Sequence, residues 1–164
     1  MSFELIAASL AITLALVFYT IGVFSERRRG TLERHHLVFF WGGLIFDATG
    51  TALMSSMATA SASSGFGIHA ITGMLAIILM LIHAGWATWV YFRGTSHTRE
   101  VFHRFSALVW LIWLIPYIIG MLVGIPVFHL KNVCAIGTSL VVVALFAFFM
   151  FGADFRRFGG KRRR

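Results

Sequence analysis

Five apolar runs of 21 to 25 residues, at 3–24, 36–58, 68–92, 102–124 and 132–152, fill most of this 164-residue chain. A helix needs about 20 such residues to cross a hydrocarbon layer roughly 30 Å thick. Backbone groups inside lipid must be satisfied within the segment, so these runs are expected to be helices. A membrane barrel needs alternating strands of about 10 residues, and no such alternation occurs here. Composition agrees, with 59% hydrophobic and 12% charged residues, against the roughly 25% charge of a water-facing domain. The expected fold is an all-α integral membrane protein, a single five-span up-and-down bundle with a basic tail at 153–164. The lone Cys134 excludes an intrachain disulfide and any CxxC motif.

Charge placement predicts the orientation. Thirteen of the fourteen Lys and Arg residues fall on one side if the spans alternate, and only Lys131 falls on the other. The loaded side carries Arg27, Arg28, Arg29 and Arg34, then Arg93, Arg99 and Arg104, then the tail. The positive-inside rule makes that side cytoplasmic, with the N-terminus outside and the C-terminus inside. The net charge of +8 sits in short blocks beside apolar runs. That pattern fits anionic lipid at the cytoplasmic face rather than nucleic acid. The outer stretch Ser61–Gly67 reads as a flexible connection, and Trp86, Trp89 and Tyr91 as an interfacial belt. The spacing Gly120-x-x-x-Gly124 marks a helix–helix contact and leaves a homo-oligomer open.

Ionisable residues inside a bilayer are expensive and usually functional. Here they are Asp47, His36, His69, His83 and His103. At about 100° per residue they fall on three stripes. The second helix has His36, Gly43, Asp47, Gly50 and Met54; the third has His69, Gly73, Ala76, Met80, His83 and Ala87; the fourth has His103, Ala107, Trp110, Tyr117 and Met121. The small residues would admit a close helix or a flat ligand. His69 and His83 lie about 21 Å apart on one face, as in membrane cytochromes that hold two haems. Imidazole is a strong axial ligand for haem iron. The expectation is therefore one or two haem b groups. His36, His83 and His103 serve a cytoplasmic-side haem, and His69 serves an outer one with His129, Tyr117 or a methionine. His83 reads as two to three turns deeper than His36 and His103. Arg104, with Arg34 and Arg99, is placed to meet haem propionates. Asp47 reads as a supporting partner at the depth of His83, hydrogen-bonded to His83 or Thr51. His35 and His97 read as interfacial.

Four stretches resemble the HsmA family of small bacterial haem-sensing membrane proteins. They are Leu14-Ala-Leu-Val-Phe-Tyr-Thr-Ile-Gly22, Phe40-Trp-Gly-Gly-Leu-Ile-Phe-Asp-Ala-Thr-Gly-Thr51, His69-Ala-Ile-Thr-Gly-Met-Leu-Ala-Ile77 and Trp110-Leu-Ile-Trp-Leu-Ile-Pro-Tyr117. The resemblance covers roughly residues 10 to 125 and is most specific in Phe-Asp-x-Thr-Gly-Thr and His-x-x-x-Gly. It implies haem binding and a role in limiting haem or oxidative stress, and it implies no assigned ligands. The leading expectation is a haem-binding protein that sequesters haem or carries electrons, with quinone-linked electron transfer as a variant. A membrane-embedded zinc enzyme using the histidines and Asp47 is the alternative, although no HExxH spacing occurs. A third reading is a structural or proton-relay bundle in which the histidines pair with Asp47.

Overall fold

A computed structural model describes residues 3–60, 68–124 and 132–161, the side chains of 58–60, 68–70, 123–124, 132 and 153–161 excepted. The expected outer connection Ser61–Gly67, His129, Lys131 and the last three arginines lie outside the described residues. Five helices follow one another: α1 Phe3–Arg29, α2 Arg34–Ala60, α3 Ile68–Arg93, α4 Ser96–Gly124 and α5 Asn132–Lys161. Each contains a segment long and apolar enough to cross a membrane. With 26 to 30 residues apiece, and at about 1.5 Å per residue, they outrun a ~30 Å hydrocarbon layer.

The helices overrun the apolar runs at the arginine-rich end because helical hydrogen bonding does not require apolar side chains. Arg27, Arg28 and Arg29 occupy the last turn of α1, where cations complement the partial negative charge of the helix end. Gly30 stops the helix with φ +67°, a conformation that disfavours side chains with a Cβ. Its N–H still reaches the Glu26 carbonyl at 3.0 Å. The fourth run was expected to start at Phe102, but α4 starts at Ser96. Thr95 caps it, its hydroxyl accepting the Thr98 N–H at 3.3 Å. Arg99 therefore rides on a helix rather than in a loop, and Arg104, expected just inside the helix, lies on it.

The chain divides into two compact units, Met1–Trp113 and Leu114–Arg164. In the first, α1 to α3 and the leading part of α4 form a closed ring. Helix α1 packs on α2, and α2 on α3. Helix α3 meets α4 through His83 and Ser106, and α4 meets α1 through Trp110 and Thr20. Each helix turns one stripe inward. On α2 the stripe is His36, Phe40, Gly43, Leu44, Asp47 and Gly50; on α3 it is Ala76, Met80, His83, Ala84, Ala87 and Val90. In the second unit Ala135, Ser139 and Met150 of α5 are buried, while Phe148 and Phe149 are exposed. Large apolar side chains are exposed on all five helices, far beyond the scattered patches of water-soluble monomers.

Helices in lipid gain little from apolar burial and associate through close packing. The α1–α2 contact shows how. A Cβ built on Gly43 would lie 2.5 Å from the Tyr19 ring, and one on Gly22 would lie 2.7 Å from Phe40. Gly42 receives Phe18 and Gly50 receives Ile12 in the same way. The α2 glycines thus serve a helix neighbour, and α1 side chains already fill the face that a flat ligand was expected to share. Tyr19 is fully buried and cannot swing away, so Gly43→Ala should destabilise the bundle by about 1–3 kcal/mol, the usual range for overpacking. Gly85 faces open space, and Gly85→Ala should be neutral or slightly stabilising. Equilibrium unfolding in mixed micelles measures both, and equal effects would contradict the packing account.

Candidate functional site

The interior of the first unit carries polar side chains at three levels. The level nearest the arginine-rich end holds Glu26, His36 and His103. Glu26 is wholly buried, and His103 Nδ1 contacts its carboxylate directly. The other ring nitrogen of His103 lies 2.9 Å from the Gly30 carbonyl oxygen. Both nitrogens of His103 face acceptors, so the ring ties α4 to the end of α1 and to the turn after it. The sequence reading missed Glu26 because the apolar run ends at Phe24. Its signal was helical spacing, since Glu26 continues the inward stripe of Tyr19, Gly22 and Val23.

His36 is also wholly buried. It occupies the third position of α2, and its Nδ1 accepts the Glu33 backbone N–H at 2.9 Å. This is the half of a capping box usually supplied by Glu or Gln. The accepted bond puts the single proton of the neutral ring on Nε2, and Nε2 is buried with no protein partner. Outside the spans, Glu33 also receives Arg29 Nη1 at 2.9 Å, which holds its carboxyl below the usual carboxylate range. That pair is exposed and adds little stability.

One turn deeper lies His83. It has no exposed surface, stacks on Phe102 at 5.4 Å and meets the edge of Phe40 at 4.5 Å. Its Nε2 is 3.0 Å from the Ser106 hydroxyl, and its Nδ1 is buried without a partner. The expected depth is corrected here. Phe40 is four residues beyond His36, and Phe102 and Ser106 bracket His103. His83 therefore sits only about one helical turn, roughly 5 Å, below His36 and close to the level of His103, rather than two or three turns below both. Helix ends are not level, so counting residues inward from each end misplaces the relative depth.

The third level holds Asp47. Its Oδ2 accepts the Trp113 indole N–H at 2.8 Å, and the Tyr19 hydroxyl lies beside the same carboxyl. Tyr19 and Trp113 meet edge to face at 4.9 Å. The partner of Asp47 is thus Trp113 rather than His83 or Thr51. The α2 residue level with His83 is Phe40, seven positions and about 10 Å before Asp47.

Arg104 is exposed, with Nη2 3.8 Å from Glu100. His69 is in the first turn of α3, and its side chain lies outside the described residues. Tyr117 belongs to the second unit and is half-buried. His97 is exposed and His35 half-exposed beside Glu33, positions that fit an interface. Among the described residues no three His, Cys, Asp or Glu side chains converge as a metal ion would require. Comparison with protein-family models, curated proteins and solved structures finds no match for the chain.

The Asp47 level yields a stability test. Asp47→Asn keeps an oxygen for Trp113 and should cost less than Asp47→Leu. The leucine leaves the buried indole N–H unpaired, at about 1–3 kcal/mol. Unfolding in detergent, monitored by tryptophan fluorescence, should separate the two variants. Equal stability of Asp47→Leu and the parent would show that the bond contributes nothing.

Proposed function

We propose that the chain is a multi-pass inner-membrane protein, N-terminus outside and C-terminus cytoplasmic, that binds haem b and either sequesters it or relays its electrons. The observation that carries this reading is His83, an imidazole with no exposed surface, one unpaired ring nitrogen and a surround of aromatic rings. A buried polar atom without a partner asks for a ligand or other explanation. The resemblance of residues 10 to 125 to haem-sensing membrane proteins supports the same ligand. So does the one-turn spacing that gathers three imidazoles near the arginine-rich end. His83 is the residue that would hold the iron, through the ring nitrogen that has no protein partner, while the other nitrogen stays beside the Ser106 hydroxyl. Bound haem would supply a redox-active iron in a site from which water is excluded.

A structural reading is favoured at one place. His103 spends both ring nitrogens on the fold, so it acts as a clasp rather than as a ligand. Haem titration of the purified protein separates the roles. The parent should gain a Soret band and a sharp reduced α-band. His83→Gln should lose the low-spin signal while keeping its helical content. His103→Ala should lower stability by about 3–5 kcal/mol, because it leaves the buried Glu26 carboxylate unpaired, yet bind haem wherever it folds. A parent protein that stays colourless with haem would end the reading.

Orientation rests on the thirteen basic residues of one side. A C-terminal reporter active only outside the cytoplasm should be silent, and an active one would reverse the arrangement.

A further inference from the structure

The unpaired nitrogen of His36 differs in kind from that of His83. The Glu33 N–H points at His36 Nδ1, so Nδ1 is an acceptor and carries no proton. A flipped ring would aim a C–H at that donor instead, so the cap fixes both the orientation and the tautomer. What remains at Nε2 is an N–H donor, enclosed by the bundle and without a protein partner. Ligation of iron by the same nitrogen would need its lone pair, and Nδ1 already uses its own on the backbone. The cap therefore makes His36 a poor ligand and a good donor.

The charge around it indicates what it donates to. Arg28, Arg34 and Arg93 are exposed at this end, and each acid there already stands beside a basic side chain. Glu26 is held by His103, Glu33 by Arg29, and Glu100 lies beside Arg104. The end carries a surplus of positive charge that favours an anionic oxygen. From this, and resting on the haem reading above, we infer that His36 is the hydrogen-bond donor to a carboxylate of the bound porphyrin, anchoring its acidic edge at the arginine-rich end while His83 takes the iron.

The cap itself supplies discriminating variants. Glutamine at this position can accept the Glu33 N–H with its amide oxygen and still offer an N–H, but it is not a strong iron ligand. Glutamate keeps the cap and replaces the donor with a negative oxygen. The probes are iron protoporphyrin IX and its dimethyl ester, titrated into the full-length protein in detergent. Affinity and the low-spin spectrum are read together, and helical content confirms the fold. The parent should bind the ester about 10- to 100-fold more weakly, the range expected for a hydrogen bond to a charged group. His36→Gln should stay close to the parent with both porphyrins. His36→Glu should bind haem about as weakly as the parent binds the ester, with no further loss on the ester. Two results overturn the inference while leaving haem binding intact. One is loss of the low-spin spectrum in His36→Gln, which makes His36 an iron ligand. The other is an equal loss for haem and ester in His36→Glu, which removes the contact with the carboxylate. Absence of a Soret band in the parent would overturn the haem reading and this inference with it.

Discussion

Hydrocarbon offers no hydrogen bonds, so a helix bundle bathed in it must satisfy its polar side chains from within. In the first unit of this chain contacts between helices meet much of that constraint. Trp113 of α4 answers Asp47 of α2, Ser106 of α4 answers His83 of α3, and His103 of α4 answers Glu26 of α1 and Gly30 of the turn after it. Three polar contacts thus spread from one helix to three neighbours. Shape complementarity draws α1 and α2 together through Gly22, Gly42, Gly43 and Gly50, but close packing alone leaves the register of a helix weakly specified. A carboxylate with one indole N–H in reach specifies it within a turn. Helix α4 therefore acts as the key to the arrangement, and the His103 clasp fixes the turn whose Glu33 N–H caps α2.

The angular part of this structure was legible in the sequence. Burial around a helix depends on a 3.6-residue period, so the stripes could be drawn without coordinates: His36, Gly43, Asp47 and Gly50, Ala76, Met80, His83 and Ala87, and Ala107 and Trp110 are buried, while Met54, Gly73, His103, Tyr117 and Met121 are only half-buried. The axial part was not legible. Which residues of two helices lie level depends on where each helix begins, how it tilts and how its turn is built. Thr95 starts α4 six residues before its apolar run. The relative depth of His83 shifted by more than a turn, and Asp47 exchanged its expected histidine for a tryptophan.

The candidate site shows a second limit of the same kind. Hydropathy ended the first span at Phe24 and so discarded Glu26, although a helix carries its inward stripe past the last apolar residue. The protonation pattern was further out of reach. Nothing in the residue order says that His36 would stand at the third position of α2 and accept a backbone N–H. Three histidines that look alike in sequence are used in three ways. His103 has both nitrogens engaged, His36 presents a buried donor, and His83 keeps one nitrogen on a hydroxyl and one unpaired.

That division bears on how such a bundle could hold a ligand without losing its fold. A side chain that closes the structure cannot also be exchanged for a ligand without loosening it, and breaking a buried ion pair is costly. His103 and Asp47 belong to the closing set. The orphaned nitrogens of His36 and His83 do not, since satisfying them removes no contact that joins one helix to another. They lie about one turn apart, at the end where the arginines gather. The half of the described interior away from the arginine-rich end is lined instead by Ala8, Ala11, Ala15, Gly50 and Ala76, with no ionisable side chain among them. The asymmetry divides the first unit into an end that fastens the helices by packing and an end where polar groups are held in reserve, and a ligand that fills the reserved positions would add to the fold rather than compete with it.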